Sequence, residues 1–276
     1  MSRHWFLTGA SSGIGRHLAE IILASGDDLT ATVRRPETLD DLAARYGDQL
    51  VVERLDVTVK GDIAPVVQRA EARRPVDVLV NNAGGGIIGA TEEFSDADIE
   101  GQISLNLLAP VHVTRAFIPA MRTRRAGRII QISSASGQGS LPTSSLYHAA
   151  KWGLEGFSEC LRQELEGFGV FVTLIEPGGA RTSSSRNLQY ALANPAYQDT
   201  PAGQIRAMFE NAGDELYTLD PQKIAHRIFD TATSEKPPLR VALGGDAFGV
   251  IQAALKGRLS ALEAQESLAR SVAFDS

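Results

Sequence analysis

Ser134, Tyr147 and Lys151 are the residues whose types and spacing could move a proton. Three residues separate Tyr147 from Lys151, so a helix sets the phenol and the ammonium on one face. A free tyrosine titrates near about 10, and a neighbouring ammonium favours the phenolate; a shift of two or three units takes about 3–4 kcal/mol, within reach of a desolvated site. Tyr-x-x-x-Lys alone is a weak signal, because five tyrosines among 27 lysines and arginines will often produce it by chance. Its weight rests on the elements around it.

Those elements alternate. Short apolar runs at 5–7, 29–33, 51–55, 78–80, 128–132, 171–175 and 239–243 read as strands, with helical periodicity between them. Seven strands joined by crossover helices predict an α/β chain with a parallel sheet covered on both faces. Ser95 with Asp98 forms a capping-box pattern that starts a long helix towards Arg122, with bends expected at Pro110 and Pro119. Asp220-Pro221 sets an N-cap before a first-turn proline and predicts a helix to Thr233. No clear strand appears between Gly178 and Leu219, which predicts a lid over 178–219 with a short helix around 203–211. Leu255, Leu259, Leu262 and Leu268 predict a helical tail over 246–276, its apolar face packed on the domain or on a partner subunit.

At 276 residues, 43% hydrophobic and 22% charged, the chain can bury one full core. A net charge of −6 argues against nucleic acid as a partner, and Arg73-Arg74 and Arg122, Arg124, Arg125 read as solvated helix ends. The single cysteine, Cys160, excludes an intramolecular disulfide and reads as a small core residue. With no signal-peptide pattern and no apolar run of membrane-spanning length, the expectation is a soluble cytoplasmic protein without a membrane partner.

Directly after the first strand comes Thr8-Gly9-Ala10-Ser11-Ser12-Gly13-Ile14-Gly15, and then a helical run. Strand, glycine-rich turn and helix make an anion site, because the glycines admit close backbone approach and the helix start presents unpaired N–H groups to a pyrophosphate. A dinucleotide site for NAD usually carries a carboxylate at the end of the second strand, but here stand Arg34 and Arg35. Arg34 suits a 2′-phosphate, with Ser11 beside it, so NADP(H) is the preferred cofactor and NAD(H) the alternative. Asp56, with Val57 after the third strand, either accepts from an adenine amino group or makes a local turn with Thr58. Asn81-Asn82-Ala83-Gly84 closes the fourth strand and lines the cofactor, locks the strand, or does both.

In this order the motifs resemble the short-chain dehydrogenase/reductase family, in the subclass with a Thr-Gly-x-x-x-Gly-x-Gly turn, over roughly residues 3–243. Thr8 to Gly15, Asp56, Asn81 to Gly84, Asn106, Ser133-Ser134, Tyr147-x-x-x-Lys151 and Pro177-Gly178 leading to Thr182 carry the resemblance. Residues 31–34 and 243–246 look like the hydroxysteroid-dehydrogenase-like branch, without identifying a steroid substrate. The resemblance implies a single NAD(P)-binding Rossmann domain over 1–276, its seven-stranded doubly wound sheet in the order 3-2-1-4-5-6-7. It implies an oxidoreductase that reduces a ketone or aldehyde to an alcohol, reversibly, on a small-molecule substrate, as a homodimer or homotetramer. No metal is implied.

By the same resemblance Tyr147 donates the proton, Lys151 lowers its pKa and holds the nicotinamide ribose, Ser134 bonds the substrate oxygen, and Asn106 holds a water. Thr182 binds the carboxamide. The family's spacing of about thirteen residues before the tyrosine selects Ser134 over Ser133. His148 and Ala150 inside the motif, and the extra Gly85-Gly86, depart from the family; His148 sits next to Tyr147, off its helix face. Two other readings stay in view: a nucleotide-sugar epimerase or dehydratase, which usually has a shorter glycine spacing and a larger C-terminal domain, and an NADPH-sensing protein without turnover, a type that tends to lose the tyrosine or the lysine.

Overall fold

The structure, a computed structural model, describes residues 2–274 apart from 183, 184, 186, 187 and 212. Those five positions of the expected lid, and 275 and 276 of the expected tail, lie outside the described residues.

Seven strands form one parallel sheet: β1 (His4–Thr8), β2 (Asp28–Val33), β3 (Leu50–Arg54), β4 (Val78–Asn81), β6 (Gly127–Ile132), β7 (Val170–Pro177) and β9 (Arg240–Leu243). Their order is β3-β2-β1-β4-β6-β7-β9, which is 3-2-1-4-5-6-7 when only these seven are counted. The direction of winding reverses between β1 and β4, where open α/β sheets leave a crevice at the carboxyl ends of their strands.

Helices cover both faces. On one, α1 (Gly13–Ala24), α2 (Asp40–Tyr46) and α8 (Pro221–Thr233) close a core around Leu7, Leu18, Ile22, Val80 and Ile228. On the other, α3 (Lys60–Arg73), α5 (Ala109–Arg124) and α6 (Ser145–Leu165) close a second core around Leu79, Val113, Phe117, Ile129 and Leu161. Neighbouring residues of β1 serve opposite cores, as a strand's period of two requires. Trp5 stacks on Phe229, ring centroids 5.4 Å apart, while Phe6 meets Phe117 edge-on at 4.8 Å. Each such fully buried side chain contributes about 1.5–3 kcal/mol.

The capping box forms as the sequence predicts: the Ser95 amide donates to the Asp98 carboxylate and the Asp98 amide to Ser95 Oγ. The helix it opens is not uniform. It runs as α4 (Asp96–Ile103), widens into a π segment over Ser104–Leu108, and resumes as α5. Pro110 has no N–H to return to the carbonyl of Asn106, four residues back, so the regular bond is lost at the widened turn. Pro119 lies within α5 without interrupting it.

Two expectations need correction. The lid does contain a strand: β8 (Gln189–Tyr190) pairs in parallel with β5 (Ile87–Ile88), forming a second sheet of two-residue strands. Cys160 is exposed, because the buried stripe of α6 runs through Lys151, Leu154, Glu155, Ser158 and Leu161 and leaves it on the outer side. The expected short helix appears as α7 (Pro201–Glu210), and the tail as α9 (Gly245–Glu263) and α10 (Glu266–Arg270). Among the described residues, no helix is long and apolar enough to cross a membrane.

Candidate active site

The glycine-rich turn joins β1 to α1. Gly9 and Gly13 adopt φ of +70° and +54°, a left-handed backbone that favours glycine. A Cβ at Gly15 would overlap the Gly9 carbonyl oxygen and the Asn82 side-chain amide, so that glycine lets α1 start hard against the turn. The amides of the first helical turn, Gly13 to Gly15, have no intrahelical acceptor, and Ser12, as N-cap, does not bond them. Ser11 is exposed beside it. Free N–H groups and the positive helix end give this point the chemistry of an anion site. The residues present therefore fit a dinucleotide.

Asn82 locks the turn in place. Its amide nitrogen Nδ2 donates to the carbonyls of Thr8 and Gly9, each at 3.0 Å, while the backbone amides of Asn82 and Ala83 donate to Thr8 Oγ1 at 3.0 Å. Arg34 and Arg35 stand exposed at the end of β2, and their guanidiniums donate no hydrogen bond within the described chain. Asp56 makes the local turn: its Oδ1 accepts from the Thr58 amide at 3.0 Å and hydroxyl at 2.6 Å. The Thr58 hydroxyl, with the Arg34 charge adding to it, holds that carboxyl below its ordinary range. Val57 packs its side chain into the second core.

Ser134 lies two residues beyond the end of β6, where it caps a short 3-10 turn, and Tyr147 and Lys151 lie on the first turns of α6. The Ser134 hydroxyl stands near enough to the Tyr147 phenol to favour its ionised form, and accepts the Ser136 amide at 3.1 Å. Lys151 Nζ lies 5.5 Å from the centroid of the Tyr147 ring and donates to the Ile132 carbonyl at 2.8 Å. The three residues brought together by the chain's spacing are thus together in space. Burial brings the Lys151 ammonium down to about 8, with the Glu155 charge opposing it. Burial pushes the Tyr147 phenol up, and the Ser134 hydroxyl offsets this only in part. That is opposite to the direction expected for Tyr147: in the chain by itself, desolvation outweighs the nearby ammonium.

Asn106 sits on the widened turn, fully buried. Its Nδ2 donates to the carbonyls of Gly85 at 2.9 Å and Gln102 at 3.2 Å, and its Oδ1 accepts the Gly85 amide at 3.3 Å. Two of these three bonds hold the loop after β4 to the helix. A Cβ at Gly84 would stand 3.0 Å from Asn106 Oδ1 and 4.0 Å from Lys151 Nζ, which places that glycine between them.

At the end of β7, Pro177-Gly178 leads past α9: Gly178 donates to the Leu243 carbonyl at 3.0 Å, and Gly179 to Asp246 Oδ2 at 2.8 Å. Thr182 faces the glycine-rich turn, its Cβ 3.1 Å from where a Gly13 Cβ would lie; its hydroxyl accepts the Ser185 amide at 3.2 Å. Of the apolar lid residues, Leu188 packs towards Gly86 and Tyr190 joins β8, whereas Leu192 and Met208 are exposed.

His148 points away from Tyr147. Its Nε2 accepts the Leu141 amide at 3.1 Å, so Nδ1 is the nitrogen that donates to the Ser136 carbonyl, at 2.9 Å. The ring therefore pins the loop that carries Ser134, a role signalled in the sequence only by its adjacency to the tyrosine. Sequence reasoning also missed Glu155 and Glu176, two buried carboxyl groups behind the site, and the partly exposed Arg240 beside them. Among the described residues, no cluster of His, Cys, Asp or Glu is placed to hold a metal ion.

Residues 3–192 match the family model for short chain dehydrogenases. The chain is 35% identical over 250 residues to oxidoreductase BOA17 of Botryotinia fuckeliana, covering 90% of each protein. It superposes on a crystal structure of a short-chain dehydrogenase from Streptomyces avermitilis with a TM-score of 0.90 and 38% identity, covering 99% of this chain and 98% of that one. A serine dehydrogenase in its closed form with NADP+ gives a TM-score of 0.74 at 28% identity, over 87% of this chain and 94% of that one.

Proposed function

Since this chain belongs to the short-chain dehydrogenase family, an oxidoreductase fold, we propose that it is an NADPH-dependent reductase of a ketone or aldehyde, working in reverse as an alcohol dehydrogenase. The observation that carries this reading is the meeting of Ser134 and Tyr147 with the buried Lys151 ammonium, 5.5 Å from the centroid of the Tyr147 ring, at the sheet edge where the open turn begins α1.

The amides of Gly13, Ile14 and Gly15 would take the pyrophosphate, and Arg34 with Ser11 the 2′-phosphate. Lys151 and Thr182 would orient the nicotinamide end, which supplies a hydride to the substrate carbon when bound. Ser134 holds the carbonyl oxygen through a hydrogen bond that strengthens as charge develops there. Tyr147, kept neutral by burial, is a proton donor at neutral pH and gives its proton to that oxygen. Lys151, charged below about 8, stabilises the phenolate left behind.

The test is oxidation of NADPH and NADH, followed by absorbance, against a panel of ketones, aldehydes and secondary alcohols. Turnover is expected with NADPH at higher kcat/KM than with NADH, and equal efficiency would end the cofactor reading. Tyr147→Phe removes the proton and keeps the ring, so turnover is expected to drop by more than about a hundredfold while NADPH still binds. Persistent turnover in that variant would remove Tyr147 from the mechanism.

A further inference from the structure

Behind Ser134 lies a second buried cluster that the proposed reaction does not use. Glu155 stands one turn beyond Lys151 on α6 and is 5% exposed; Glu176, on β7, is 2% exposed. The Glu155 carboxylate accepts from Ser133 Oγ at 2.5 Å, Arg240 Nε at 2.9 Å and Gln138 Nε2 at 3.3 Å. Gln138 Nε2 also donates to Glu176 Oε1 at 3.2 Å, and Arg240 Nε lies 3.7 Å from that oxygen. Glu155 and Glu176 thus share Gln138 and Arg240 as partners. Burial and the nearby Glu155 charge raise the Glu176 carboxyl to about 7.

The charged groups around Glu155 come from every packed element. Lys151 and Glu159 stand on α6, Glu176 on β7 and Arg240 on β9, while α9 reaches in through Arg258, whose Nη1 donates to the Gln138 carbonyl at 2.5 Å. The loop after β6 contributes the uncharged Ser133 and Gln138. Arg240 is drawn outward by Glu159, to which Nη2 donates at 2.8 Å. On the other side Lys151 has only the neutral Ile132 carbonyl as its hydrogen-bond acceptor among the described residues. Glu155 is thus the carboxylate whose charge favours its ammonium against burial.

We propose that Glu155 is a positioning residue that keeps Lys151 charged in its buried place, with Ser133, Gln138 and Arg240 fixing the Glu155 carboxylate. This rests on reading Lys151 as the cation of the reductase site, but its test needs no turnover.

The protein is labelled with carbon-13 at lysine Cε, and the Lys151 resonance is assigned by its loss in Lys151→Arg and titrated with pH. In Glu155→Gln the Lys151 midpoint is expected to fall by about one unit, the scale of one lost neighbouring charge. Glu155→Asp keeps the charge and is expected to restore most of the wild-type midpoint. Glu176→Gln disturbs the same packing but keeps the Glu155 carboxyl and its three donors, so a shift less than half as large is expected. A midpoint unchanged in Glu155→Gln, or shifted equally in Glu176→Gln, overturns the proposal. Should circular dichroism show Glu155→Gln unfolded, Glu155→Gln combined with Arg240→Gln removes the pair together, and its Lys151 midpoint is expected to lie about one unit below that of Arg240→Gln alone. A wild-type protein that reduces no carbonyl would overturn the proposed reaction while leaving this titration readable.

Discussion

Lys151 carries its charge where burial disfavours it, and that conflict has a kinetic signature. A lysine brought down from its ordinary 10.5 to about 8 is protonated below that value and loses its proton as pH rises through it. The kcat/KM of carbonyl reduction, which reports groups of the free enzyme, is therefore expected to be level near neutrality and to fall about tenfold per unit above about pH 8. A profile flat across that range would show that Lys151 does not titrate there. Ser134, Tyr147 and Lys151 were legible because their relation is local: a strand end and two helix positions on one face. Glu155 was not, since its neighbours Ser133, Gln138, Glu176 and Arg240 come from a loop and two other strands. Cys160 was misread because position along a helix says nothing until the buried stripe is known.

The strand–turn–helix at the chain's start is the element on which the proposed cofactor binding rests, and its tolerance differs sharply from one glycine to another. Gly15→Ala drives a methyl into the Gly9 carbonyl and the Asn82 amide, and is expected to weaken NADPH binding at least about tenfold and to lower the melting temperature. Gly61→Ala, in the first turn of α3 with nothing nearby, is expected to leave binding unchanged and stability equal or up to about 1 kcal/mol higher. Fluorescence titration and thermal melts check both, and equal behaviour of the two would refute the packing argument. The seven main strands were legible to within a residue or two because strands buried on both faces read as continuous apolar runs. Strands β5 and β8 are two residues each, too short to show alternation. The widened turn at Asn106 left one trace, Pro110, which signals a disturbed helix without saying which kind.

The whole molecule is two cores back to back on one sheet, with an outer layer that differs in how firmly it is attached. In α9, Asp246 accepts the Gly179 amide, Val250 lies against Gly139, and Arg258 bonds Gln138 and covers the Trp152 ring at 4.9 Å. Beyond Glu263, Leu268, Val272 and Phe274 are exposed. Truncation after Ala264 is therefore expected to leave the melting temperature within about 2 °C, whereas truncation after Gly244 is expected to lower both stability and turnover. Differential scanning fluorimetry and the reductase assay separate these outcomes, and a large loss on the shorter truncation would mean that the last residues are held in solution. The excursion between β7 and α8 begins and ends at one place: Leu219 donates to the Gly179 carbonyl, Arg181 donates to the Leu219 carbonyl, and Ala180 bridges to Leu219. Topologically it is a closed detour, so its length and composition can change without shifting β7 against β9. Changes of sequence in that stretch are thereby uncoupled from the loop after β6 and the start of α6, which hold Ser134, Tyr147 and Lys151.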